Sequence, residues 1–162
     1  MERINKDNYY LDIAQTVATR GTCLRRKYGA IIVKNDVIVS TGYAGAPRGR
    51  KNCSDLGYCM RKSLGIPRGE RYEMCRSVHA EQNAIIAASR EQMLDSTLYL
   101  VGINCPDSEL VSDACCCQMC KRLIINAGIS RVIVRNTPTE YTVYSVGDWI
   151  DNDDSLSGQF GY

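Results

Sequence analysis

"GAIIVKNDVIVSTGY", residues 29–43, is the stretch that decides the fold. Two runs rich in Ile and Val flank Asn35-Asp36, which reads as a β-hairpin closed by a tight turn. Working outward, "TLYLVG" (97–102) and "SRVIVRN" (130–136) read as two further strands. Two helical stretches alternate with them: "SVHAEQNAIIAASRE" (77–91), with Ser77 a candidate N-cap, before the first, and "CCQMCKRLIINAG" (116–128) between the two. In the second, Met119, Leu123, Ile124 and Ala127 share a face and Gly128 suits the position after the last turn. Upstream, "NYYLDIAQTVATR" (8–20) places Tyr10, Ile13, Ala14, Val17 and Ala18 on one helical face. The order is helix, two strands, helix, strand, helix, strand. It predicts an α/β domain with helices packed on a central sheet, and the opening hairpin makes that sheet mixed.

The chain has 162 residues, 44% apolar and 23% charged, which fits one ordinary globular domain over 1–162. Within it, residues 46–76 form a Cys- and Arg-rich insertion without clear periodicity, an excursion that something must pin down. After Asp148 the tail turns acidic and is expected on the surface. A net charge of +2 is too balanced to announce a nucleic-acid or membrane partner. The first residues, "MERINKDNYY", do not resemble a secretory leader, and no apolar run reaches bilayer-spanning length, so the expected compartment is the cytoplasm. In that reducing setting nine cysteines read as metal ligands or reactive thiols before disulfides.

His79 and Glu81, and Cys117 and Cys120, stand at the starts of two predicted helices. Zinc takes imidazole nitrogen and thiolate sulfur, and one His with two Cys leaves a fourth position for water, the arrangement of a catalytic rather than a structural ion. Helix starts also favour thiolate over thiol. Glu81, two residues from His79, points away from the ligand position and suits a base beside the metal-bound water. A solitary core histidine is the alternative for His79, the only histidine in the chain. In "DACCCQMCKR" (113–122) only Cys117 has the CxxC spacing to Cys120; a register using Cys116 has the poorer four-residue spacing.

"CRSVHAEQNAI", "CQMCKRLIINAGI", "CLRRKYGAIIV" and "STGYAGAPRG" together resemble the deoxycytidylate (dCMP) deaminase family of the cytidine deaminase-like superfamily, over roughly residues 8–135. The resemblance implies a three-layer α/β/α fold with a mixed sheet of about five strands. It implies zinc held by His79, Cys117 and Cys120, with Glu81 moving protons while dCMP and water become dUMP and ammonia. A homo-oligomer, commonly a hexamer, is also implied, as are activation by dCTP and inhibition by dTTP, the triphosphate effector carrying Mg2+. Two positions depart from the family pattern. Cys116 replaces the proline of P-C-x-x-C, and Ala44 replaces the Asn of G-Y-N-G that contacts the sugar. Tyr43 and Ala44 are candidate substrate contacts, with Arg26 and Arg48 for the phosphate, since arginine suits bidentate phosphate binding; surface arginines are the alternative.

Cys23, Cys53, Cys59 and Cys75 are candidates for a second, structural zinc, which with the histidine already used would be closed by four thiolates. Buried free thiols are the alternative. The competing readings are a deaminase of another cytosine nucleotide, a tRNA adenosine deaminase, against which the charge balance speaks, and a non-catalytic competence-associated zinc protein, which would have no need of Glu81.

Overall fold

A computed structural model describes residues 1–112 and 114–152. β1 (Arg26–Lys34) and β2 (Val37–Tyr43) form the expected antiparallel hairpin. Its turn residues take φ of 51° at Asn35 and 62° at Asp36, the left-handed pair whose twist matches the flanking strands. The turn is tied to helix α1 (Lys6–Ala18), because Asp36 accepts from the Tyr10 hydroxyl at 2.5 Å and the Lys6 ammonium at 2.8 Å.

On its other edge β1 pairs antiparallel with β3 (Thr97–Asn104). β3 pairs parallel with β4 (Arg131–Arg135), and β5 (Tyr141–Ser145) closes the sheet antiparallel. The order is β2-β1-β3-β4-β5, a mixed sheet of five strands. The sequence pattern marks four strands. The fifth, β5, is an edge strand buried on neither face, so it lacks the apolar run that marks the others.

Helices are α2 (Cys53–Leu56), α3 (Met60–Ser63), α4 (Ala80–Ile86), α5 (Arg90–Met93), α6 (Gln118–Ala127) and α7 (Val146–Asp151), with a 3-10 turn over Tyr72–Met74. Alternating strand residues divide the core. Ile31, Val33, Tyr99, Val101, Ile103 and Ile133 face α1, which contributes Tyr10, Leu11, Ala14 and Ala18. Ala30, Ile32, Leu98, Leu100, Val132 and Val134 face the opposite layer, where α4 contributes Ala80 and Ala84, α5 Met93, and α6 Cys120, Ile124 and Ala127. Two glycines set the spacing of these layers. A Cβ on Gly29 would overlap the Ala14 carbonyl and the Ala18 amide of α1, and one on Gly42 would overlap the Ala80 carbonyl and the Ala84 amide of α4. Arg135, 2% exposed, locks α1 to β4 through Asp12 at 2.7 Å and the Asn8 carbonyl at 3.1 Å.

Several expected boundaries move for identifiable reasons. The stretch 77–91 is two helices: Ser89 caps the second, its hydroxyl accepting from the Gln92 amide at 3.2 Å. The N-cap of the first is His79 rather than Ser77, because Val78 is held in a two-way backbone bridge with Gly45, at 3.1 and 2.7 Å, which keeps the chain extended. On α6 the buried stripe is Cys120, Ile124 and Ala127, and Leu123 lies at its rim, 41% exposed. The expected acidic tail is described only through Asn152; residues from 153 onward lie outside the described part. Among the described residues no helix is long and apolar enough to cross a membrane.

Gly29→Ala forces a methyl group against the α1 backbone. The expected result is a loss of about 1–3 kcal/mol, read as a lower denaturant midpoint with an unchanged m-value. An unshifted midpoint would show that α1 is not held at the distance described.

Candidate metal centre and active site

The starts of α4 and α6 meet on one face of the sheet. His79 is the N-cap of α4, with φ −69° and ψ 155°, and Cys117 is the N-cap of α6, with φ −68° and ψ 167°. Extended backbone at an N-cap throws the side chain over the first turn. Cys120 follows three residues on, where an i,i+3 neighbour shares the same side of the helix. The result is His79 Nδ1 at 3.5 Å from Cys117 Sγ and 3.4 Å from Cys120 Sγ. All three ligand atoms lie within 4.8 Å of one another. A tetrahedral zinc with ordinary Zn–S and Zn–N bonds separates sulfur from nitrogen by about 3.5 Å. The donor set therefore fits zinc in both chemistry and spacing, with a fourth position left to a non-protein ligand.

Four contacts fix the α4 start. The Gln82 side-chain oxygen accepts from the His79 amide at 2.8 Å. Asn83 Nδ2 donates to the Tyr43 carbonyl at 2.8 Å, and the Ser40 hydroxyl donates to the Ala84 carbonyl at 2.8 Å. Gly42 supplies the close approach beneath them. One residue inside the helix, Glu81 is only 4% exposed and lines the same cavity as His79 and Cys117. A buried carboxylate two residues from His79, in the cavity that Cys117 also lines, is positioned to exchange protons with whatever occupies the fourth position.

The three ligands also share protons. A hydrogen bond from Cys120 pulls the Cys117 thiol down to about 4, and His79 adds to this. Giving that bond, together with burial, drives the Cys120 thiol well above its ordinary value. Burial opposes charge on His79, but hydrogen bonds with Cys117 and Cys75 prevail and raise it to about 10. Without metal at neutral pH the trio is thus thiolate, thiol and imidazolium.

The excursion of residues 46–76 forms the cavity's outer wall. Arg61, 6% exposed, holds it by donating to the Pro67 carbonyl at 2.7 Å and the Glu70 carbonyl at 2.8 Å. The same guanidinium lies 4.4 Å from the Tyr72 ring centre, and Tyr72 packs edge-on against His79 with ring centres 5.3 Å apart. This chain of contacts pins the insertion to a metal-donor side chain.

Of the expected substrate contacts, Arg26 and Ala44 line the cavity. Tyr43 and Arg48 do not; they line a separate groove with Arg20, Lys27 and Arg50. Tyr28, Tyr72, Arg25, Arg61 and Arg68 line the cavity without having been singled out from the sequence. Arg25 adjoins Arg26 and could have been found there; the others carry no local signal.

Cys53 is buried, and its thiol is pushed up by that burial and by the nearness of Cys23, Cys75 and Cys59. The four thiols therefore gather around Cys53. Their sulfurs are more widely spread than the first set, because among the described residues only His79, Cys117 and Cys120 form a group within 4.8 Å. Cys116 is buried, and its thiol is held well above its ordinary value by burial and by the Glu81 carboxylate beside it. It belongs to the core rather than the donor set, and Cys115 lines the cavity.

Residues 4–136 match the family model described as the cytidine and deoxycytidylate deaminase zinc-binding region. The deoxycytidylate deaminase of Mycobacterium phage D29 is 36% identical over 138 residues, covering 82% of this chain and 96% of that protein. The deoxycytidylate deaminase of Schizosaccharomyces pombe is 32% identical over 127 residues, covering 78% of this chain but 36% of that longer protein. Among solved structures, the dCMP deaminase of cyanophage S-TIM5 in complex with dCMP and dUMP superposes with a TM-score of 0.54 at 25% identity, covering 92% of this chain and 91% of that one.

Zinc binding to metal-free protein at pH 7 is expected to release about two protons, one each from Cys120 and His79. Both groups sit above their ordinary values in the folded protein, so affinity strengthens as pH rises from 6 to 8. Calorimetry in buffers of differing ionisation enthalpy counts the protons, and a count of zero contradicts the shared-proton trio. Cys117→Ser and Cys120→Ser should abolish stoichiometric zinc at this centre and activity, while Cys115→Ser and Cys116→Ser keep both, with milder losses. An equal loss from Cys116→Ser would move the ligand register.

Proposed function

Because the chain belongs to the cytidine and deoxycytidylate deaminase family by its zinc-binding region, we propose that it hydrolyses dCMP to dUMP and ammonia, supplying dUMP for thymidylate synthesis. The observation that carries this is Glu81, buried beside a His/Cys/Cys donor set that leaves one coordination position open. A zinc ion in that set supplies Lewis-acid activation of the attacking water. Glu81 takes a proton from that water and hands it to the ring nitrogen next to the amine-bearing carbon. It then carries the second proton to the departing amine, so that water's oxygen replaces ammonia on the ring. His79, Cys117 and Cys120 orient the reaction from one side, and the insertion held by Arg61 walls it from solvent on the other.

Support for dCMP in particular comes from the relatives that carry this activity in their names and from the cyanophage enzyme seen with dCMP and dUMP. Arg26 in the cavity wall suits the phosphate. The convergence of Cys23, Cys59 and Cys75 on Cys53 supports a second, structural zinc that closes when the thiols contract onto the ion. The separate groove with Arg20, Lys27, Arg48 and Arg50 supports a triphosphate effector such as dCTP or dTTP with Mg2+. Exposed Val37 and Ile38 on edge strand β2 support assembly into a homo-oligomer, the hexamer being the family's common form. A cytoplasmic setting agrees with nine free thiols.

The test is zinc-loaded protein, purified under reducing conditions, offered dCMP, CMP, dCTP, deoxycytidine and a tRNA anticodon stem. Ammonia release from dCMP alone is expected. Glu81→Gln should lower kcat by about 10²–10⁴ while retaining zinc; unchanged release would defeat the catalytic role. Metal counting should give two zincs per chain, and a count of one removes the four-thiolate site.

A further inference from the structure

Tyr28 forms part of the cavity wall, and the proton transfers leave it without a task. It sits on the active-site face of β1, two residues from Arg26, and pairs in register with Gly102 of β3. The Gly102 position is a cradle for its ring. A Cβ there would lie 2.7 Å from Tyr28 Cε1, 3.2 Å from Cδ1 and 3.2 Å from Val111 Cβ. Any side chain at 102 would push the ring off β3 and into the cavity. The phenol stands beside the Arg26 side chain, and both line the cavity, with Glu81 and Tyr72 in the same wall. Both side chains come from the same face of β1 and line the same cavity, so the phenol O–H and the guanidinium can donate together to one group held there. Across the hairpin the Tyr28 carbonyl accepts from the Ala44 amide at 3.1 Å. Ala44 brings no polar side chain to this part of the wall, so Tyr28 is its neighbouring donor.

We infer that Tyr28 is a specificity-determining residue: seated over Gly102 and beside Arg26, it braces that guanidinium and turns its own hydroxyl proton to the cavity, so that the two donors together read the phosphate of a nucleoside monophosphate. An acceptor-rich, anionic group matches two convergent donors, one of them charged. A bare nucleoside offers no such group and leaves both donors unpaired, which is how a polar site discriminates strongly. This rests on the nucleotide deaminase reading above.

The experiment compares wild type, Tyr28→Phe, Gly102→Ala and the double variant, all zinc-loaded. It measures kcat and KM for dCMP and deoxycytidine, and calorimetric affinity for dUMP and deoxyuridine, which needs no turnover. Tyr28→Phe keeps the ring and removes only the hydroxyl. It is expected to raise KM for dCMP about tenfold, the loss of one charge-assisted hydrogen bond. The preference for dUMP over deoxyuridine should fall by the same factor, with kcat changed by no more than about twofold. Gly102→Ala, which displaces the ring, should erode the same preference, and the double variant should lose less than the sum of the singles. An unchanged preference in Tyr28→Phe overturns the inference. So does an equal loss for nucleotide and nucleoside, which is the mark of packing alone, or a wild type that binds dUMP no better than deoxyuridine. A wild type that prefers dUMP but leaves dCMP intact contradicts the deamination reading and leaves the role of Tyr28 standing.

Discussion

One imidazole nitrogen held 3.5 and 3.4 Å from two sulfurs is the contact on which the rest of the structure depends. Three polar groups at that distance in a buried setting are stable only if they share protons or a cation. The fold goes to some length to make the meeting happen. Two helices must start side by side, each with its ligand at the N-cap, and the sheet beneath must let one of them come close. Gly42 permits the approach, and the Gly45–Val78 bridge delays the helix until His79. The same delay places Glu81 inside the helix, buried, two residues beyond His79.

The insertion over residues 46–76 is held by interactions that a hydrophobic count would miss. Its helices are single turns, and much of its surface is polar. Arg61 ties the Pro67 and Glu70 carbonyls together, and stacks on Tyr72, which in turn abuts His79. A buried guanidinium with carbonyl partners can order a loop that lacks apolar content. The insertion and the metal centre are therefore mechanically joined: a change at Arg61 reaches His79 through one aromatic ring.

Much of this was legible along the chain. Asn35-Asp36 between two β-rich runs announces the hairpin, and "TLYLVG" and "SRVIVRN" announce two strands, which the structure buries on both faces. His79, Glu81, Cys117 and Cys120 could be grouped because the CxxC spacing and the helix starts are local features. By contrast β5 was not located, since an edge strand needs no apolar pattern. Ser77 is the better cap by residue type, and it loses to His79 because a distant residue, Gly45, holds Val78 extended. Arg48 and Tyr43 follow Ala44 and Gly42 closely in sequence, yet they line a different groove from Ala44.

What the sequence by itself determined is whatever depends on near neighbours: helix and strand periods, the turn, the ligand pair at i and i+3, and the mixed character of the sheet. What only the tertiary structure decided is which side chains share a cavity. Tyr28 and Glu81 are more than fifty residues apart, and so are Tyr28 and Gly102. They meet because β3 adds to the free edge of the hairpin and α4 packs across its face. The physical reason is that covalent spacing fixes orientation over only a turn or two of chain. Beyond that, proximity is set by how two faces of a sheet are covered, and single positions such as Gly42 and Gly102 express that covering only through the atoms packed on them.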